Sequence, residues 1–192
     1  MKRYVWTTSA AVLALGALLA GPSLRSGDDD DEGNAEVRRG LAIAPVPLDM
    51  KGKNRDLVGL GSYIVNAQAG CVDCHSCPTF AAGHNPYRGQ TKKLNDENYL
   101  AGGVPFGPFT SRNITPDAHG KLELTLAQFK EVMHKGTDFD HQHPQFGPLL
   151  QVMPWPLFQD MTDHDIRAIY EYLRSIPHAE HGTCGGAGDT AP

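Results

Sequence analysis

Two cysteines and a histidine lie in a spacing that few kinds of chemistry require. The segment Cys71-Val72-Asp73-Cys74-His75 has the pattern C-x-x-C-H. Two thiols at this separation can each add across a vinyl group of one porphyrin, and the imidazole that follows can bind the iron. The alternatives are a reduced redox pair or, with Cys77 as a further ligand, a zinc site. Because the pattern occurs once among four cysteines, we expect one covalently attached haem c.

The N-terminus is typical of an exported protein. Lys2 and Arg3 precede a mostly apolar run over residues 5–20, and Gly21 and Pro22 follow it. This layout predicts a signal peptide over residues 1–20, with an uncleaved membrane anchor as the alternative. Covalent haem attachment in bacteria takes place outside the inner membrane, so the N-terminus and the C-x-x-C-H pattern support each other. Both predict a periplasmic protein.

Charge limits the classes of partner. Loss of Lys2 and Arg3 with the signal peptide leaves 15 basic and 22 acidic residues, a net charge of −7. Such a chain is a poor match for nucleic acid, whose binding depends on basic side chains. A membrane surface is an expected partner only if the N-terminal segment is not cleaved.

Composition divides the chain into four parts. After the signal peptide, residues 21–53 contain the acidic run Asp28–Glu32 and predict a flexible linker. Residues 54–178 carry the apolar periodicity and should form one domain. Residues 179–192 are rich in glycine and alanine and predict a loose tail.

Three helices are expected within the domain. The first spans about residues 55–69, where Gly59 and Gly61 make sense if another helix approaches closely. The second covers residues 126–135, with Thr125 and Gln128 as a capping box. The third begins after Thr162 and ends before Pro177. The segments between them are rich in glycine and proline and show no strand pattern, so the predicted class is all-α, with long loops that need a buried group to pack on.

The order of these features resembles class I cytochrome c, over about two-thirds of the chain. Residues 111–117 and 152–177 are similar to the monohaem cytochromes that serve periplasmic alcohol, aldehyde and sugar dehydrogenases. The resemblance implies a haem between the first and last helices, with Gly61 at their crossing and Tyr170 opposite it. It also implies redox partners: a dehydrogenase as electron donor and an oxidase or another cytochrome as acceptor.

The sequence offers several candidates for the sixth iron ligand. A methionine thioether raises the haem potential, whereas a second histidine lowers it. The candidate methionines are Met133, Met153 and Met161, and the candidate histidines are His134, His141, His143 and His164. Met153 lies in a loop that the following prolines stiffen, and the Met-Pro position carries the ligand in the family that this chain resembles. We therefore expect His75 and Met153 as the axial pair.

Further side chains have candidate roles around the haem. Arg112, Asn113 and Trp155 could donate hydrogen bonds to the propionates, although ordinary loop packing explains them equally well. In an exported protein the two remaining cysteines, Cys77 and Cys184, are expected to form a disulfide.

The sequence thus predicts an electron carrier and not an enzyme. The alternative is a haem enzyme or gas sensor in which Met153 does not bind and one axial position is open. A divalent-metal site among residues 138–143, which hold two aspartates and two histidines, is a minor alternative to a solvated loop.

Overall fold

The described part of the chain is helical with little strand. The computed structural model describes residues 27–184. Within them the helices are α1 (Gly27–Ile43), α2 (Arg55–Tyr63), α3 (Cys71–His75), α4 (Leu126–Lys135) and α5 (Asp163–Leu173), and short 3₁₀ turns lie at Pro86–Arg88, Pro144–Phe146 and Trp155–Leu157. Two short strands, β1 (Pro105–Phe106) and β2 (Phe109–Thr110), pair antiparallel with Phe106 opposite Phe109. The all-α class is confirmed at this level.

The predicted caps form at the ends of the helices. At the start of α4, the Gln128 backbone N–H donates to Thr125 Oγ1 at 3.3 Å, and the Thr125 N–H donates to Gln128 Oε1 at 3.0 Å. Thr162 Oγ1 accepts from the Asp165 N–H at 3.1 Å at the start of α5. These bonds satisfy backbone donors that a helix leaves unpaired at its N-terminus. The second and third predicted helices are therefore present as α4 and α5.

The first predicted helix consists of two parts. Asn54 caps α2 by accepting from the Asp56 N–H, and a π-helical turn over Ile64–Gln68 continues α2 toward Cys71. Gly70 then takes a left-handed conformation, with φ of 64°. This backbone geometry is cheap for glycine, and it turns the chain directly into the short helix α3.

The described part of the region predicted as a flexible linker begins with a helix. Residues 27–43 form α1, which packs on α2 where Gly40 lies against the backbone of Gly59 and Tyr63. Ser62 Oγ donates to the Gly40 carbonyl at 2.7 Å and ties the two helices together. The cause is the helical spacing of Val37, Gly40 and Leu41, a packing face that the preceding acidic run obscured.

Glycine also permits the crossing of α2 and α5. A Cβ on Gly61 would collide with the Ala168 carbonyl and lie 2.8 Å from Tyr172 Cβ. The close crossing at Gly61 therefore exists, but Tyr170 does not lie opposite it. Tyr170 instead packs its ring near Phe129 and donates its hydroxyl to the Leu124 carbonyl at 3.0 Å.

A buried polar cluster sits beside the crossing. Tyr99 Oη donates to Asn66 Oδ1 at 2.6 Å and lies 2.8 Å from Tyr172 Oη. Asn66 belongs to the π-helical turn and donates in turn to the Ser62 carbonyl at 2.9 Å. Burial raises the pKa of Tyr99, so both phenols are neutral and act only as hydrogen-bonding groups. The cluster joins α2, α5 and the loop before β1.

Neither end of the chain is described in full. The predicted signal peptide, residues 1–20, lies outside the described residues, as do residues 185–192. Among residues 27–184 no helix combines the length and apolar character needed to cross a bilayer. The described part of the predicted loose tail is held in place: Cys184 is disulfide-bonded to Cys77, with their Cα atoms 5.4 Å apart.

Replacement of Gly61 tests the importance of the α2–α5 crossing. We expect Gly61→Ala to lower the free energy of unfolding by about 1–3 kcal/mol because the methyl group must displace the α5 backbone. Gly33→Ala is the matched control, since nothing lies within 4 Å of its added Cβ. The control should be neutral or slightly stabilising. Urea unfolding of both variants measures the difference, and equal stability would show that the crossing tolerates a side chain.

Candidate functional site

A large, mainly apolar cavity lies at the centre of the described chain. Its volume is about 620 Å³, within the range of pockets that hold cofactors. Its walls come from the π-helical turn, α3, residues 111–117, α4, α5 and the loop around Met153. Apolar side chains from several of these elements line it, among them Val65, Ile114, Leu122, Phe129, Val132, Ile169 and Leu173.

Helix α3 places three reactive side chains on one wall. Cys71, Cys74 and His75 all line the cavity, while Val72 is 4% exposed and anchors the helix in the core. Because α3 is only five residues long and begins at the turn of Gly70, both thiols and the imidazole occupy a single stretch of wall. This is the grouping that the C-x-x-C-H pattern predicts.

A backbone hydrogen bond fixes the histidine tautomer. His75 Nδ1 lies 2.8 Å from the Arg112 carbonyl oxygen. A carbonyl can only accept, so Nδ1 carries the proton and Nε2 keeps its lone pair. Burial lowers the pKa of His75, which keeps the ring neutral. A neutral imidazole held at Nδ1 by a carbonyl is the form that binds a metal through Nε2.

The protonation of the two thiols bears on the alternative of a redox pair. Burial raises the pKa of the Cys71 thiol to about 12, and burial followed by the charge of Asp73 raises that of Cys74. Redox-active C-x-x-C pairs instead have a lowered thiol pKa, since the thiolate is the nucleophile. The burial of these thiols thus favours side chains held in the wall of a cavity over a pair tuned for disulfide exchange.

The metal-site alternatives find no support in the described residues. Cys77, a ligand in the zinc alternative, is bonded to Cys184. Asp138 and Asp140, the carboxylates of the second alternative, pair with Arg112. Across residues 27–184, no group of three or more histidine, cysteine, aspartate or glutamate side chains is arranged to hold an ion.

Only some candidates for the sixth ligand reach the cavity. Met153 and Met133 line it, as does His143, whereas His134, His141, His164 and Met161 do not. Met133 is 2% exposed and belongs to the core face of α4. The ring of His143 packs against Phe109, with the ring centroids 4.8 Å apart. Met153 lies in the turn where the Trp155 N–H donates to the Met153 carbonyl at 2.8 Å.

The three candidate propionate donors each donate a hydrogen bond within the protein. Arg112 lines the cavity, but its Nη2 donates to Asp138 Oδ1 at 2.6 Å and its Nε lies 3.0 Å from Asp140 Oδ2. Asn113 donates to the Ala179 carbonyl at 2.7 Å. Trp155 does not line the cavity, because its ring packs on Gly136 and its Nε1 donates to the Leu150 carbonyl at 3.3 Å.

The carboxylates around Arg112 form a network that sequence reasoning missed. Although burial alone would raise it, the hydrogen bond and charge of Arg112 hold the pKa of Asp138 below its ordinary value. Burial and the charge of Asp140 raise the pKa of Glu123. These residues are up to 28 positions apart in sequence, and nothing in their spacing signals the contact. The network holds residues 138–140 against the segment that carries Arg112.

Similar proteins fit this geometry. The chain is 28% identical to the fructose dehydrogenase cytochrome subunit of Gluconobacter japonicus over 89% of its length. It is 31% identical to the cytochrome c subunit of the quinone alcohol dehydrogenase of Gluconacetobacter polyoxogenes over 70% of its length. It is 29% identical to the gluconate 2-dehydrogenase cytochrome c subunit of Pantoea cypripedii over 62% of its length. This chain is homologous to cytochrome c subunits of dehydrogenases.

The homology covers only part of each relative. The chain spans about a quarter of the length of these relatives: 28%, 24% and 23%. No protein-family model matches the chain. The predicted resemblance to dehydrogenase-associated cytochromes is confirmed at the level of homology, whereas the haem ligands remain predictions.

The pairing of Asp138 with Arg112 predicts a contribution to acid stability. A carboxyl group whose pKa is lowered by folding stabilises the protein above its unfolded pKa of about 3.9, and loses that contribution as the pH falls through the folded pKa. We expect Asp138→Asn to be less stable than the wild type at pH 7, and to lose less stability between about pH 5 and pH 2.

Unfolding by urea at several pH values measures this effect. Asp96→Asn is the control, since its exposed carboxylate forms no ion pair with the described residues. The control should follow the wild-type curve. Parallel curves for wild type and Asp138→Asn would contradict the role of the ion pair.

Proposed function

We propose that this chain is an exported electron carrier that holds one haem c, with His75 and Met153 as axial ligands. The observation that carries the proposal is the placement of Cys71, Cys74 and His75 on one wall of a cavity that Met153 also lines. The residues present fit the group: the cavity is mainly apolar, its volume suits a cofactor, and His75 already has its Nδ1 proton engaged. The homology to cytochrome c subunits supports the same cofactor.

Each residue of the wall has a role in holding the group. The thiols of Cys71 and Cys74 would form thioether bonds to the two vinyl substituents, which makes the attachment permanent. His75 would bind the iron through Nε2, and the Arg112 carbonyl would keep that nitrogen aimed into the cavity. Met153 would give its thioether sulfur, a soft ligand that favours the reduced metal and raises the reduction potential.

When bound, haem c supplies one-electron chemistry between Fe(II) and Fe(III). The apolar walls exclude water from the site, which limits the change in solvation when charge moves. If His75 and Met153 both bind the iron, the site would have no coordination position for a substrate. For this reason we propose an electron carrier and not an enzyme.

Partners are inferred from the relatives and from the surface near Met153. The relatives are subunits of dehydrogenases, so we propose a dehydrogenase as the electron donor and an oxidase or another cytochrome as the acceptor. Phe146, Leu149 and Val152 are 44%, 40% and 37% exposed, and Leu149 and Val152 also line the cavity. Exposed apolar side chains that continue into the cofactor cavity are a suitable contact surface for a redox partner.

Two methionine variants distinguish the sixth ligand. In Met153→Leu we expect the thioether–iron charge-transfer band of the oxidised protein to disappear, and carbon monoxide to bind the reduced protein. In Met133→Leu, a substitution of similar volume in the wall of the same cavity, both properties should stay as in the wild type. Absorption spectroscopy of oxidised, reduced and carbon monoxide-treated protein measures all of them.

The other outcomes are equally informative. Loss of the band in Met133→Leu but not in Met153→Leu would move the ligand to α4. A wild type that lacks the band and binds carbon monoxide at once would favour the alternative of an open-site haem enzyme or sensor. A wild type without the band that excludes carbon monoxide would indicate a histidine ligand; of the four histidines named from the sequence, His143 lines the cavity.

A further inference from the structure

The described end of the chain is bonded to the segments around the cofactor cavity. We call residues 178–184 the C-terminal strap. Its last residue, Cys184, is bonded to Cys77, two positions after His75. In the middle of the strap, the Gly182 N–H donates to the Ala101 carbonyl at 2.9 Å. The strap is therefore attached both to the α3 side of the cavity and to the loop that precedes β1.

A second set of bonds joins the strap to residues 111–117. Asn113 Nδ2 donates to the Ala179 carbonyl at 2.7 Å, and the Ala179 N–H donates to Thr115 Oγ1 at 3.2 Å. Asn113 Oδ1 accepts from the Thr115 N–H at 2.8 Å, so the segment that bonds the strap is itself braced. Asn113 directly follows Arg112, whose carbonyl accepts the bond from His75.

The strap, the segment at Gly102 and the Arg112–Asn113 peptide are three backbone segments that stack without room for a methyl group. A Cβ on Gly182 would lie 2.5 Å from the Gly102 carbonyl oxygen. A Cβ on Gly102 would lie 2.5 Å from the Arg112 carbonyl carbon and 2.6 Å from the Asn113 nitrogen. Gly102 has a φ of 72°, which favours glycine. A displacement of the strap would thus pass directly to the Arg112 peptide.

His75 is held on both sides by this stack. Its ring Nδ1 donates to the Arg112 carbonyl at 2.8 Å, and its own carbonyl accepts from the Gly102 N–H at 2.7 Å. The orientation of a ligating imidazole and the basicity of its free nitrogen depend on the acceptor at its other nitrogen. Contacts that hold Gly102 and Arg112 in place therefore also hold His75 in place.

We propose that the C-terminal strap is a positioning device for the proximal ligand: through Gly182, Asn113 and the Cys77–Cys184 disulfide it presses Gly102 and the Arg112 carbonyl against His75. This inference rests on the proposed function, in which His75 binds the haem iron. Asn113 and Gly182 are positioning residues: Gly182 has no side chain, and the side-chain amide of Asn113, which lines the cavity, is bonded to Ala179 and Thr115. The disulfide makes the device sensitive to thiol reductants.

The test follows one proton. The ring N–H that His75 donates to Arg112 can be followed by NMR hydrogen exchange in the reduced, diamagnetic holoprotein. In Gly182→Ala we expect this proton to exchange about tenfold faster than in Gly33→Ala, because local opening of the strap exposes it. The amide of Ile169, in the middle of α5 and 2% exposed, should exchange at the same rate in both variants. Asn113→Ala should behave as Gly182→Ala does.

A chemical arm repeats the test without a mutation. Dithiothreitol gives two electrons and two protons to the Cys77–Cys184 disulfide and becomes a cyclic disulfide, after which the two thiols are alkylated. The His75 ring proton should again exchange faster while Ile169 is unchanged. Equal acceleration of both protons, or no change at His75, would overturn the proposal because the strap would then be only a general stabiliser.

The same chemical arm separates the two proposals. If the thioether bonds of the proposed function exist, mass spectrometry of protein that is reduced, unfolded and only then alkylated finds two labelled cysteines. Four labelled cysteines would mean that Cys71 and Cys74 are free, so the proposed haem attachment would fail. Two labels together with unaltered His75 exchange would refute the strap alone.

Discussion

The hydrogen bond from His75 Nδ1 to the Arg112 carbonyl is the interaction on which the site depends. It selects the tautomer, leaves Nε2 free, and joins two parts of the chain that are 37 residues apart. Without it, α3 would carry a histidine that is free to rotate and to bind a proton at either nitrogen. The Arg112 carbonyl is the acceptor that orients the His75 ring. The orientation of His75 therefore depends on how firmly the Arg112 peptide is held.

Much of the surrounding structure serves that requirement through close backbone packing. On one side, α1 packs on α2 at Gly40 and Gly59, and α5 crosses α2 at Gly61. Together they support the segment from which α3 emerges. On the other side, Gly182 allows the strap to lie on Gly102, and Gly102 in turn lies on the Arg112 peptide. Contacts between backbone atoms cannot be relaxed by a change of side-chain rotamer, and tightly packed interiors transmit displacement. The same arrangement leaves the cavity itself to be lined by apolar side chains that exclude water.

The sequence predicted the parts of this structure that depend on local signals. Thr125 and Thr162 mark the starts of α4 and α5 because a cap needs only a side-chain oxygen and nearby backbone donors. The C-x-x-C-H pattern located the reactive wall because its chemistry needs three residues in one turn. The crossing at Gly61 was also predicted: glycines in an apolar helix face indicate a close neighbour, and the resemblance to class I cytochrome c implied that this neighbour is the last helix.

The features that the sequence did not reveal depend on contacts between distant residues. The packing of α1 on α2 was hidden because a run of acidic residues precedes its apolar face. Tyr170 was placed opposite Gly61, but the helix rotation brings Ala168 and Tyr172 there instead. For Trp155 the sequence left cofactor binding and loop packing equally open, and in the structure its ring packs on Gly136 and its indole donates to the Leu150 carbonyl. The ion pairs of Arg112 and the stacking of the strap have no periodicity or motif by which they could be recognised.

The most direct test of the central claim is whether haem is covalently bound through Cys71 and Cys74. The full chain would be produced with a cytochrome c maturation system, denatured in acid and extracted with organic solvent, and its mass and absorption spectrum measured. The account predicts one haem per chain that stays with the polypeptide after extraction and is lost in the Cys71→Ser/Cys74→Ser double variant. A chain without haem, or haem that extracts freely from the wild type, would contradict it.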